Sequence, residues 1–120
     1  MPLQGTFDAN QALIYEIVAA VHRRCIEKVQ TEQGFCLLTL HRLSLRAFKE
    51  ECSARGVPMD DHLLSLCYPH SIGHYLGLDL HDTTTVSASA PFKPGVAFTI
   101  EPGLYFPDHI VKNTRLAILN

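Results

Sequence analysis

What this 120-residue sequence lacks narrows its possibilities first. Its longest purely apolar runs are four or five residues, whereas a helix needs about 20 to cross a bilayer. The opening M-P-L-Q-G-T-F-D has none of the basic, apolar and small-residue order of a secretory signal. The chain as given is therefore expected to be soluble, with no membrane partner. No basic stripe exists either: the ten Lys and Arg are scattered and the formal net charge is −2. A run of phosphates would find no counter-charge, which argues against nucleic acid as a partner. The four cysteines, at 25, 36, 52 and 67, form no C-x-x-C pair, and are expected to be free thiols in a reducing compartment. Internal repeats and low-complexity segments are absent.

What is present is enough for one small domain. Hydrophobic residues make up 47% and charged residues only 18%, a balance that buries a core instead of leaving the chain disordered. From Phe7 to about Gln30 apolar residues fall at Leu13, Ile14, Ile17, Val18, Val21, Cys25, Ile26 and Val29, one wide stripe on a helix. Thr6, Asp8 or Asn10 is placed to cap its start, and Gly34 supplies a left-handed stop. The stretch from Gln33 to Leu43 fits a short strand, a linker across the core or the tail of a helix. Ser44 reads as the N-cap of a second helix with Leu45, Phe48 and Cys52 on one face and Gly56 as its break. After Asp61 the pattern turns from helical to extended, with Pro69 blocking any helix. The turn F-K-P-G at 92–95 delivers the β-rich run Val96–Glu101, closed by Pro102-Gly103. Helices precede strands, so the class is α+β.

Between Pro69 and Asp82 the chain reads P-H-S-I-G-H-Y-L-G-L-D-L-H-D, placing three of seven histidines together. Neutral imidazole binds Mn, Co or Zn and also moves protons near neutral pH. An extended segment puts His70 and His74 on one face and His81 on the other, unless the glycines at 73 and 77 bend it. One such histidine is most often a core or turn residue; three at this spacing favour a site. Glu101 lies inside V-A-F-T-I-E-P-G. Either it sits at an exposed strand end, or it is a buried carboxylate that requires a partner such as a cation.

H-S-I-G-H-Y-L-G-L-D-L-H-D, followed about twenty residues on by P-G-V-A-F-T-I-E-P-G-L-Y-F, resembles the catalytic half of the pita-bread metallopeptidases, in particular the Xaa-Pro aminopeptidase (aminopeptidase P) branch. F-D-A-N-Q-A-L-I-Y-E-I-V resembles the helix that follows that family's first metal ligands. The resemblance implies a partial pita-bread fold with helices packed on an antiparallel sheet, and a two-metal hydrolase that removes the residue before a proline at position two of a peptide. It implies manganese, with cobalt or zinc as substitutes, held by two aspartates, one histidine and two glutamates. His74 matches the metal-binding histidine and Glu101 the first glutamate, which counts as both metal ligand and catalytic group. His70 and His81 match histidines that contact substrate and stabilise or shuttle charge. Paired ions activate a shared water and polarise the scissile carbonyl, and hard oxygen ligands with one nitrogen suit manganese.

The chain departs from that pattern at both ends. The two aspartates are expected before Gly5, and Asp8 reads as a helix-start residue. The last glutamate is expected in an Arg-hydrophobic-Glu-Asp strand; aligning Arg115-Leu116 with it puts Ala117 at the glutamate position. Residues 1–120 are thus expected to be a single partial catalytic domain, inactive alone and with uncovered sheet edges. A second reading is a catalytically dead peptide- or protein-binding module of the same fold. A third is a mononuclear metal protein using His74, His81 and Glu101. Partners implied by the resemblance are peptides with proline second and a possible homo-oligomer in a full-length form; the compartment implied is mitochondrion or cytosol.

Overall fold

The computed structural model describes residues 2–81 and 86–107. Three helices carry the core: α1 (Ala9–Thr31), α2 (Leu37–Ala54) and α3 (Asp61–Cys67). None is long and apolar enough to cross a membrane.

The expected first helix is present, and Asp8 is its cap. The Asp8 carboxylate accepts from the Gln11 N–H at 2.8 Å while the Gln11 side-chain oxygen accepts from the Asp8 N–H at 3.2 Å, a reciprocal box that satisfies two orphan donors. Ile17, Ala20, Val21 and Cys25 of its stripe are buried. Gly34 adopts φ +84° just beyond the helix end, the conformation glycine alone adopts without penalty.

The second helix begins eight residues earlier than its sequence suggested. Cys36, not Ser44, is the cap: its Sγ accepts from the Thr39 N–H and the Thr39 hydroxyl accepts from the Cys36 N–H at 2.9 Å. Ser44 lies mid-helix, fully buried, donating to the His41 carbonyl at 2.8 Å, an outlet for a hydroxyl inside a helix. The ambiguous 33–43 stretch is therefore mostly helix. Leu37, Leu40, Leu43, Ala47, Phe48 and Cys52 form its buried face, packed on α1.

The expected change to extended structure after Asp61 is also corrected. Asp60 accepts from the Leu63 N–H at 2.8 Å and opens a seven-residue helix that buries Leu63, Leu64 and Cys67. So short a helix is marginal alone; its packing on the core sustains it. Pro69 lies just past its end.

The expected antiparallel sheet is reduced, among the described residues, to one isolated antiparallel bridge, Tyr75 with Phe98. Around it the backbone keeps half a ladder. Leu76 N–H donates to Ala97 O at 3.0 Å, Thr99 N–H to His74 O at 2.9 Å and Glu101 N–H to Ile72 O at 2.6 Å. Facing residues in a full antiparallel pair exchange two such bonds; here each of these pairs shows one. For His74 and Thr99 the reason is local: a Cβ at Gly73 would lie 2.1 Å from the Thr99 carbonyl oxygen, so that carbonyl sits over Gly73 instead of in the ladder. The preceding turn is as expected, with Val96 N–H donating to Lys93 O at 3.2 Å and Gly95 at φ +87°. Tyr105 N–H donates to Cys67 O at 2.8 Å and ties the following segment to the end of α3.

All four cysteines are free and buried. Burial pushes the Cys25 and Cys52 thiols up to about 11.

Candidate functional site

The half-ladder decides where the predicted residues meet. Its register pairs His74 with Thr99 and Ile72 with Glu101, so His74 and Glu101 are diagonal neighbours; side chains two apart share a face. The His74 Nε2 lies 3.3 Å from the Glu101 Oε1.

The tautomer follows from the other ring nitrogen. His74 Nδ1 lies 3.0 Å from the Tyr75 carbonyl oxygen, and a carbonyl can only accept, so Nδ1 carries the hydrogen. In the neutral ring Nε2 then presents a lone pair toward a carboxylate. Two acceptors hold that approach only with a proton or a cation between them. Two ligands each about 2.1 Å from one ion lie about 3.0–3.4 Å apart at octahedral to tetrahedral angles, which the observed separation fits. A backbone carbonyl on the far nitrogen is also the usual support of a metal-binding histidine.

The Glu101 side chain is half exposed and that of His74 one-fifth exposed. The exposed alternative for Glu101 therefore describes its solvation; it is the facing imidazole, not desolvation, that calls for a proton or a cation between the two groups. Among the described residues no group of three or more His, Cys, Asp or Glu is gathered to hold an ion; His74 and Glu101 meet as a pair.

His81 does reach this region. The chain bends after Tyr75, and the His81 ring meets that of His74 edge-on with centroids 4.9 Å apart. His70 sits apart in the same cleft with partners of its own. Its Nδ1 donates to the Ser71 carbonyl at 2.7 Å and its Nε2 accepts from the Tyr105 hydroxyl at 3.1 Å. A cleft of about 560 Å³ joins these groups, with His70, Gly73, His74, His81, Glu101 and Tyr105 on its walls.

Behind His70 the wall is aromatic and uncharged. The buried Tyr68 ring stands perpendicular to His70 at 5.0 Å and packs against Phe48 and His41. Burial pushes the Tyr68 hydroxyl up to about 12. Burial, with His70 nearby, holds the His41 imidazole below its ordinary range, and its buried Nδ1 has no hydrogen-bond partner, which a neutral ring tolerates better than a charged one.

Sequence reasoning missed Thr99 and Tyr105. Thr99 precedes Glu101 by two residues and so shares its face of an extended segment, a clue available from period-two spacing. Tyr105 carried no such clue. The expected alignment of Arg115–Ala117 lies outside the described residues, as does Asp82.

The site is thus an imidazole facing a carboxylate in a cleft beside the helical layer. The family model for metallopeptidase family M24 matches residues 2–117, and the chain belongs to that family. Relatives include intermediate cleaving peptidase 55 of Schizosaccharomyces pombe, 35% identical over 108 residues, whose Arabidopsis thaliana namesake is described as mitochondrial. Xaa-Pro aminopeptidase 3 of Mus musculus is 33% identical over 113 residues. Each of these two alignments, with the fission yeast and mouse proteins, covers 89% of this chain and 22% of the relative. The crystal structure of Icp55 from Saccharomyces cerevisiae bound to the apstatin inhibitor matches at TM-score 0.74 and 36% identity, covering 90% of this chain and 27% of that one. The chain thus spans about a fifth of the length of the curated relatives and is similar to part of a pita-bread fold.

Proposed function

We propose that this chain is the part of a two-metal Xaa-Pro aminopeptidase that supplies the metal-binding histidine and one glutamate. In this reading His74 and Glu101 hold manganese, with cobalt or zinc as substitutes, and Glu101 is also the catalytic carboxylate. His70 and His81 contact a peptide whose second residue is proline. The carrying observation is the 3.3 Å approach of Nε2 and Oε1, with Nδ1 already committed to a carbonyl.

When bound, the ions would lower the pKa of a shared water and polarise the scissile carbonyl. The chain's own residues do the rest. His74, fixed through Nδ1, offers one lone pair in one direction. Glu101, half exposed, has a second oxygen with which to reach a further ion. The Ser71 carbonyl and the Tyr105 hydroxyl hold the two ring nitrogens of His70 and so fix the ring against the cleft wall. The apolar Tyr68–Phe48 wall keeps water from the back of His70 and raises the worth of polar contacts in front.

The resemblance assigns the other three ligands to two aspartates ahead of α1 and to a last glutamate. These 120 residues then bind manganese weakly and do not turn over an Xaa-Pro peptide. Elemental analysis of the chain dialysed against Mn²⁺, beside His74→Ala and Glu101→Gln, tests this. Uptake by the unmutated chain that both variants lose supports the assignment; no uptake refutes it.

A second reading is favoured by the two-ligand edge alone: a peptide-binding module of the same fold that has no catalysis. It predicts binding of a proline-second peptide that is unchanged by EDTA. The metal reading predicts that EDTA weakens it.

A further inference from the structure

We propose that Thr99 is the positioning residue of the His74–Glu101 pair: its side-chain hydroxyl takes the place of its own backbone carbonyl in the ladder and so sets the register at which imidazole and carboxylate meet. The inference rests on reading those two groups as metal ligands, and it extends that reading to a residue that touches neither an ion nor substrate.

The hydrogen bonds around His74 carry it. In a regular antiparallel pair His74 N–H would donate to the Thr99 carbonyl and receive the reciprocal bond. The reciprocal bond is present, Thr99 N–H to His74 O at 2.9 Å. The other is replaced: His74 N–H donates to Thr99 Oγ1 at 3.0 Å, and the same hydroxyl donates to His74 O at 3.4 Å. The displaced carbonyl lies over Gly73, where a Cβ would stand 2.1 Å from its oxygen and 2.7 Å from its carbon.

Two features thus depend on each other. Gly73 admits the Thr99 carbonyl, and the threonine hydroxyl satisfies the amide which that carbonyl has left. With its N–H held by Oγ1, its carbonyl by Thr99 N–H and its ring Nδ1 by Tyr75 O, His74 keeps one uncommitted direction, along Nε2 to Glu101. Threonine suits the position because branching at Cβ narrows χ1 while the hydroxyl both accepts and donates. Valine copies its shape and can do neither.

The test uses Thr99→Val, Thr99→Ser and Thr99→Ala in the 120-residue chain, with helical circular dichroism as the check on folding. ¹⁵N spectra of the His74 ring at about pH 8, where ordinary imidazole is neutral, report the tautomer without any metal. Mn²⁺ titration reports affinity separately. The wild-type chain and Thr99→Ser are expected to show the Nδ1–H tautomer and a slowly exchanging His74 amide. Thr99→Val is expected to lose both and to bind Mn²⁺ about 10- to 100-fold more weakly, the usual cost of removing a residue that supports a ligand. If the valine variant does not fold, the alanine variant, which removes the hydroxyl and one methyl, carries the comparison. A wild-type tautomer and amide in a folded hydroxyl-less variant overturn the proposal. Should the wild-type chain bind no Mn²⁺ while tautomer and amide still follow the hydroxyl, the metal reading fails and the positioning role of Thr99 stands.

Discussion

Gly73→Ala offers the sharpest perturbation of the half-ladder, because its size can be worked from distances. An added Cβ would meet the Thr99 carbonyl oxygen at 2.1 Å, its carbon at 2.7 Å and the hydroxyl at 2.8 Å. The oxygen and carbon are backbone, so no side-chain rotation relieves them. Reaching ordinary contact at 3.4 Å requires the segments to part by about 1 Å. The bonds nearest the collision, Thr99 N–H to His74 O at 2.9 Å and His74 N–H to Thr99 Oγ1 at 3.0 Å, would then exceed hydrogen-bonding range. At a net of about 0.5–1.5 kcal/mol each, losing both costs about 1–3 kcal/mol of local stability. Native-state hydrogen exchange reads this directly: the His74 and Thr99 amides should exchange roughly 5- to 150-fold faster, with α1 and α2 amides unchanged. Gly103→Ala is the matched control. The atoms nearest its Cβ belong to the Tyr105 ring, from 3.0 Å, which a side-chain rotation relieves, so the ladder amides should hold. Unchanged exchange at His74 and Thr99 in Gly73→Ala would refute this account of the close approach. Uniform acceleration throughout the helices would show that the ladder and core open as one unit.

Two further outcomes follow from charge and hydrogen bonding. Burial raises Cys25 and Cys52 from 9.0 to about 11 and Tyr68 from 10.0 to about 12. The unfolded chain therefore ionises first, and stability contributed by the neutral forms is intact below pH 9 and is lost as pH rises to about 11 and beyond. Denaturant midpoints of the reduced protein should fall over that range, less steeply for Cys25→Ala, and a flat profile would show that the thiols are not buried. Tyr105→Phe removes the donor to His70 Nε2. It should cost about 1 kcal/mol or less yet broaden the His70 ring resonances while leaving those of His74 sharp; unchanged His70 spectra would mean the bond does not orient the ring.

Legibility in the sequence tracked how local the cause was. The stripe from Leu13 to Val29 repeats every three or four residues, and the Asp8 cap lies beside it, so α1 could be read from neighbours alone. The start of α2 could not. A cysteine is a rare cap, and Ser44, a common one, is fully buried mid-helix beside Tyr68. The short α3 is sustained by contacts from other segments, which periodicity over seven residues does not reveal. Val96–Glu101 reads as extended from its own residues, yet its pairing depends on Gly73 meeting Thr99 across 26 positions. For the same reason the meeting of His74 and Glu101 was implied only by family resemblance: their spacing of 27 residues says nothing by itself.

In the proposed reading the arrangement also accounts for how part of a demanding site can reside in so little chain. Hard divalent ions take about six ligands, mostly oxygen, and two groups cannot satisfy one. What two groups can do is fix an orientation. His74 is held at its amide, its carbonyl and one ring nitrogen, and Glu101 is held through its own N–H at 2.6 Å on Ile72. The edge between them is thus set by backbone geometry before any ion arrives, while the half-exposed carboxylate remains open to further neighbours. In the proposed reading, ligands from other segments are added to a preformed edge, and the entropy of aligning imidazole with carboxylate is already met in folding. A chain with His74→Ala would have lost the direction of the edge as well as a donor. Restoring a nitrogen donor with free imidazole should then recover little of the metal affinity, and full rescue by about millimolar imidazole would show that orientation contributes nothing.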